Sequence, residues 1–156
     1  MKLSFRNQVV IADTMAFESL YEPGLAMNQE EKEDLLGRPG ILAVWMYIDG
    51  QMAGEAYGLP VGHLEEEIED CSSEPPGSIY CYSVTVLPDH QRKGLGRVLF
   101  AFFLGMCFPR TVIGHATSEA AVRLNESFGA IHTTEHKDWC GTPRTAKFFR
   151  IEFPAQ

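Results

Sequence analysis

The segment Gln91-Arg92-Lys93-Gly94-Leu95-Gly96-Arg97 constrains this chain most, because it joins a strand-forming run, Ile79 to Leu87, to a helix-forming run, Gly94 to Cys107. Two glycines at such a junction remove Cβ atoms, so main-chain N–H groups can converge on one point, and the helix start adds its partial positive charge. Arg92, Lys93 and Arg97 place three of the thirteen lysines and arginines within six positions, on a chain of net charge −8. That is a local electropositive spot, and a pyrophosphate fits it. The plainer reading is a tight connection with solvated flanking charges. The residues do not form GxxxxGK[ST], since Leu-Gly-Arg follows Gly94, and the spacing of the dinucleotide fingerprint is absent. ATP and NAD are therefore poor candidates.

The 156 residues are read as one domain, 1–156, and a hydrophobic content of 45% with ten Phe supplies its core. Twenty-one acidic residues against thirteen basic ones disfavour a nucleic-acid partner. Cys71, Cys81, Cys107 and Cys140 form no CxxC pair, and free thiols in a reducing cytoplasm are expected. No metal is expected, since no ligand cluster is visible among the five His. Met1 to Phe5 offers no secretory core, and the longest apolar stretch, Val98 to Cys107, is half the roughly 20 residues a bilayer requires. A soluble, cytoplasmic protein with no membrane partner is the expectation.

Along the chain, Leu3 to Ile11 reads as a strand, and Asn28 with Glu31 makes a capping box for a helix over Gln29 to Leu36. Ile41 to Ile48 and Gln51 to Gly58 flank Asp49-Gly50, a hairpin signal. Val61 to Ser78 is an acidic, irregular connection with a helical turn expected around Leu64 to Ile68. The Gly94 to Cys107 run is apolar all round and is expected to be buried. Thr111 to Ala116 reads as a strand, Ser118 as the N-cap of a helix carrying Ala121, Leu124 and Phe128, and Gly129 as its left-handed close. Strands over Ile131 to His136 and Ala146 to Phe153 complete an α/β order with a mixed sheet.

The pattern Gln91, Gly94, Gly96 resembles the acyl-CoA loop, Q/R-x-x-G-x-G/A, of the GNAT superfamily of N-acetyltransferases. Val84-Thr85-Val86-Leu87-Pro88 is similar to the strand that precedes that loop, and Leu124-Asn125-Glu126-Ser127-Phe128-Gly129-Ala130 to the later L-Y-E-K-L-G-F signature. The resemblance implies a mixed, mostly antiparallel sheet flanked by helices, with a V-shaped splay between two central strands that holds acetyl-CoA. It implies that the pyrophosphate takes N–H groups of Gln91, Arg92, Lys93, Gly94, Leu95, Gly96 and Arg97. It also implies that the pantetheine arm pairs with Val84, Thr85 and Val86, and that Ser118 and Asn125 lie near the cofactor.

Acyl transfer needs a neutral amine, a donor for the developing oxyanion and a partner for the departing thiolate. A main-chain N–H near Val84 is the oxyanion candidate. Asn125 stands where the family often has a Tyr acid; it can donate a hydrogen bond to sulfur but cannot give up a proton. Ser118 is a cofactor contact or simply an N-cap. Tyr82, with Tyr80, occupies the strand positions of a family base, where a phenol relays a proton or lines the acceptor site. His115 is a further base candidate, and Glu55 a weaker one. The expected function is N-acetyltransfer to a small-molecule or peptide amine by a monomer or homodimer. A non-catalytic acyl-CoA-binding module is the alternative. Glu65, Glu66, Glu67, Glu69 and Asp70 suggest a cationic acceptor.

Overall fold

The computed structural model describes residues 1–154, built around one seven-stranded sheet ordered β1-β2-β3-β4-β5-β7-β6. The strands are β1 (Leu3–Arg6), β2 (Leu42–Ile48), β3 (Gln51–Pro60), β4 (Ile79–Val86), β5 (Val112–Ala116), β6 (Ile131–His136) and β7 (Ala146–Ile151). Helices α1 (Met15–Glu18), α2 (Gln29–Leu36), α3 (Leu95–Cys107) and α4 (Glu119–Glu126) join them. Only β4 and β5 run parallel; every other neighbouring pair is antiparallel. This is the mixed, mostly antiparallel sheet expected. Among the described residues no helix is long and apolar enough to cross a membrane.

Local chemistry sets the element ends. Asn28 Oδ1 accepts from the Glu31 N–H and Glu31 Oε2 from the Asn28 N–H, both at 2.8 Å, so the capping box starts α2. Asp49 and Gly50 both have positive φ, 48° and 83°, the twist a two-residue hairpin between β2 and β3 needs. Ser118 Oγ accepts from the Ala121 N–H at 3.1 Å and starts α4.

Two expectations are corrected. β1 ends at Arg6, because the polar pair Asn7-Gln8 interrupts the apolar run, and a 3-10 turn at Ile11–Thr14 leads into α1. The acidic connection keeps its expected helical turn, with the Ile68 N–H donating to the Leu64 carbonyl at 2.7 Å, between 3-10 turns at Val61–His63 and Glu69–Ser73, and fully buried Leu64 and Cys71 pin it. Helix α3 is not buried all round: Val98 and Phe102 are 40% and 44% exposed, and Phe102 stacks on Phe5 at 4.2 Å.

The sheet has a core on each face. Leu99, Phe100 and Phe103 of α3 pack on one, while Phe17 of α1, Leu35 of α2 and Leu64 pack on the other. Full burial of such a side chain stabilises by about 1.5–3 kcal/mol. Strand β4 serves both faces through a bulge: Tyr57 pairs with Ser83 but Gly58 with Cys81, which leaves Tyr82 as the extra residue. The bulge reverses the alternation. Tyr80 before it, and Ser83 and Thr85 after it, face the α1 and α2 layer, whereas Cys81, Val84 and Val86 face α3.

Strands β4 and β5 pair only at Ile79 with Val112 and Tyr80 with Ile113. Beyond that point they part. Gly114 sits at the vertex, where a Cβ would lie 2.9 Å from the Cys81 carbonyl oxygen and 2.8 Å from the Phe149 ring. A side chain there would force the strands apart too early.

Candidate active site

Past Tyr80, the edge of β4 that faces β5 has no strand partner, so main-chain groups from Cys81 to Val86 open onto a slot. Val84, Thr85 and Val86 therefore send side chains into the two cores while part of their backbone faces the slot. At the end of the strand, Gln91 Nε2 donates to the Val86 carbonyl at 2.8 Å and ties the glycine turn to β4. Arg92 and Gly94 are left-handed, with φ of 62° and 75°, and Gly94 is the N-cap of α3. Leu95, Gly96 and Arg97 form the first turn of that helix, whose N–H groups have no intrahelical acceptor. The buried Leu95 side chain anchors it.

Nothing lies within 4 Å of a Cβ built on Gly94, and at Gly96 only Val86 Cγ2 is near, at 3.9 Å. The space over both glycines is empty, as a cradle for a phosphate requires. The three cations are not equally free. Arg97 lies over the Phe128 ring at 4.8 Å and Lys93 Nζ donates to the Asp89 carbonyl at 3.4 Å.

Where β5 passes into α4, a cleft of about 470 Å³ opens, lined by Ala116, Thr117, Ser118, Arg123 and Lys147 among others. Ser118 thus caps α4 and walls the cleft together. Asn125, about two turns further along α4, is buried at 6% exposure and does not line it.

The opposite face of β4 carries aromatic and titratable groups. Tyr82 is 38% exposed, its ring 5.8 Å from that of Tyr57 and 6.0 Å from that of Tyr80. Burial pushes its phenol above the usual 10, so it stays neutral near pH 7 and serves poorly as a base. His115 Nδ1 meets Tyr80 Oη at 2.8 Å, and His115 Nε2 meets Asp70 Oδ2 at 2.7 Å. Burial lowers the His115 pKa, more than the neighbouring Asp70 raises it. His136 Nε2 meets the same Asp70 oxygen at 2.8 Å, and Trp139 stacks on His115 at 4.1 Å. The fold thus gathers Asp70, His115 and His136, which the sequence shows only as scattered residues.

A second polar cluster lies under α1 and α2. Lys32 Nζ, fully buried, donates to both Glu55 oxygens at 3.0 Å, to Glu18 Oε2 at 2.9 Å and to the Thr14 carbonyl at 3.3 Å. Trp45 Nε1 donates to Glu55 Oε2 at 3.1 Å. Burial pushes Glu55 up to about 7 against the attraction of Lys32, which two carboxylates share. Glu55 has no exposed surface and its oxygens are committed, so it holds the helices rather than meeting a substrate. Tyr21 Oη, raised to about 12 by burial, bonds Ser83 Oγ and, at 2.6 Å, Thr85 Oγ1. Sequence reasoning missed Glu18, Tyr21 and Lys32. Their one signal is Lys32 standing three residues before Leu35, on the helix face that packs.

The model of the acetyltransferase (GNAT) family matches residues 11–135, and the chain belongs to that family. A sequence search of the curated proteins gives no match. Among solved structures, the fold is shared with the ribosomal-protein-S18-alanine N-acetyltransferase from Escherichia coli, with TM-score 0.75, 16% identity and coverage of 99% of this chain and 97% of that one. It is shared with a putative acetyltransferase from Salmonella typhimurium solved with its cofactor acetyl-CoA, with TM-score 0.68, 19% identity and coverage of 100% and 96%. A phosphinothricin acetyltransferase from Sinorhizobium meliloti, in complex with acetyl-CoA, has TM-score 0.70, 16% identity and coverage of 96% and 88%. At such identities the likeness is one of fold.

Proposed function

We propose that this chain transfers an acetyl group from acetyl-CoA to a primary amine by direct attack in a ternary complex. The observation that carries this reading is the parting of β4 and β5 beyond Tyr80 and Ile113, with the bare glycine turn at the end of the same strand. Through that slot the pantetheine arm pairs with the Val84 and Val86 main chain as an added strand would. The pyrophosphate takes N–H groups from Arg92 to Arg97, since the Gln91 N–H is already given to the Pro88 carbonyl at 3.2 Å. A main-chain N–H near Val84 donates to the thioester oxygen as it gains charge.

The amine nitrogen bonds to the carbonyl carbon, the C–S bond breaks, and the proton shed by the amine leaves by the open mouth where Tyr82 is exposed. A thiolate with a pKa of about 8.5 leaves readily, so a hydrogen bond from Asn125 suffices at sulfur. Asn125→Ala is then expected to lower kcat less than tenfold, under about 1.4 kcal/mol. A thousandfold loss with the fold intact would give Asn125 a larger part.

Direct attack is supported by the state of the thiols. Burial pushes Cys71 and Cys107 up to about 12 and raises Cys81 and Cys140 as well, so none is an activated nucleophile. Initial rates at varied acetyl-CoA and amine should give intersecting double-reciprocal lines. Parallel lines would point to an acyl-enzyme and overturn the ternary complex.

The acceptor is a cation in solution. Glu65 and Glu66 are exposed on the connection that enters β4, whereas Glu67 already pairs with Arg38 at 2.9 Å. Replacing Glu65 and Glu66 with Gln should raise the acceptor KM and flatten its salt dependence, with acetyl-CoA affinity unchanged. Equal acceptor KM values for variant and wild type at low salt would contradict this.

A further inference from the structure

We propose that Asp70, His115 and His136 form a site for a divalent transition metal of the zinc class, with solvent as the fourth ligand. The residues come from three separate parts of the fold: the 3-10 turn Glu69–Ser73, β5 and β6. One donor atom from each lies within 4.8 Å of the others, and no second such group occurs among the described residues. Asp70 Oδ2 is 2.7 Å from His115 Nε2 and 2.8 Å from His136 Nε2.

Two imidazole nitrogens and a carboxylate oxygen make a donor set that zinc takes in sites with three protein ligands. Bonds of about 2.0–2.1 Å set tetrahedral ligands roughly 3.3 Å apart, so each contact has to open by about half an ångström. Small rotations of partly exposed side chains supply that: Asp70 is 24% exposed and His136 33%. The same exposure gives the metal a way in and leaves its fourth position to water.

His115, by contrast, is fixed as a ligand should be. Its side chain is 1% exposed, with Trp139 stacked at 4.1 Å and the Phe148 ring at 5.2 Å. Tyr80 Oη holds Nδ1 at 2.8 Å. With Nδ1–H donating to that phenol, the Nε2 lone pair points at Asp70, the arrangement by which outer partners set the tautomer of a ligating histidine. A metal here would clip the connection before β4 to β5 and β6. This assignment stands independently of the acyl-transfer reading.

The competing account is an aspartate that accepts one hydrogen bond from each histidine, with no affinity for metal. The test is a titration of the metal-free full chain with Co²⁺, followed by competition with Zn²⁺. One equivalent should give the visible absorption of tetrahedral cobalt, without the near-ultraviolet band of a cobalt–thiolate bond, and should quench Trp139 fluorescence. Zn²⁺ should displace it. His136→Ala and Asp70→Asn should each weaken Zn²⁺ binding at least tenfold, with the metal-free circular dichroism unchanged. Equal Zn²⁺ affinity in the wild type and both variants would overturn the site, as would a thiolate band, which would move the metal to a cysteine.

Discussion

Gly94→Glu is expected to abolish the rise in Tm that acetyl-CoA gives the wild-type protein. Gly94 has φ of 75°, a conformation that costs a residue with a side chain about 1–2 kcal/mol, and nothing lies within 4 Å of its missing Cβ. A glutamate there adds a negative charge where free N–H groups of the turn and of α3 converge, and it occupies the place of the pyrophosphate. The ligand effect lost is large. At a hundred times its Kd a ligand stabilises by about 2.7 kcal/mol, which for a chain of this size moves Tm by roughly 5–10 °C. Gly94→Asn separates strain from charge, because asparagine tolerates the left-handed region and carries no charge. It should fold and keep part of the shift. Unchanged acetyl-CoA affinity in Gly94→Glu would remove the cradle from the account.

Lys32→Ala is expected to destabilise the fold by about 3–5 kcal/mol, because removing one partner leaves Glu18 and Glu55 buried without their cation. Tm should fall on the order of 10 °C, read in a thermal melt. The loss has a pH signature. In the folded protein Glu55 holds its proton up to about 7, whereas unfolded it releases it near 4.5. Between those values the folded state binds more protons, so this group's contribution to stability declines as pH rises. Without Lys32 the charged form of Glu55 is worse still, and Lys32→Ala should lose more at pH 8 than at pH 5. Adding Glu55→Gln should restore part of the stability at pH 8. A penalty independent of pH, or no rescue, would contradict this view of the cluster. The cluster matters to function because Glu55 pairs with Thr85 in the sheet register, and Tyr21 bonds Thr85 from the helical layer. It seats that layer against the strand that lines the slot.

What the sequence showed and what it concealed divide by range. The glycine turn, the α2 capping box, the hairpin at Asp49-Gly50 and the Ser118 cap were legible because each is settled by residues within a few positions of one another. The slot was legible only through resemblance, since the place where β4 leaves β5 depends on Gly114 passing close to Cys81. The bulge at Tyr82 was not legible. It reverses the alternation along β4 after Tyr82, so Val84 and Val86, which strict period two puts on the face of Tyr80, turn to the α3 side, while Tyr82 stays on the face of Tyr80 and stands at the mouth. Lys32 was hidden by its neighbours in Glu-Glu-Lys-Glu-Asp, a run that reads as solvated, while the fold turns that one cation inward. Asp70 and its two histidines lie 45 and 66 positions apart, and only the sheet brings them together.

The central claim, that this member of the GNAT family is a working acetyltransferase, is tested most directly by following free CoA thiol released from acetyl-CoA against a panel of primary amines. The account predicts release that depends on the amine, strongest for cationic acceptors at low salt, with one acetyl group gained by the acceptor for each thiol freed. Tight acetyl-CoA binding with no thiol release above the amine-free rate, for any amine across the panel, would contradict it and leave a module that binds the cofactor without turning it over.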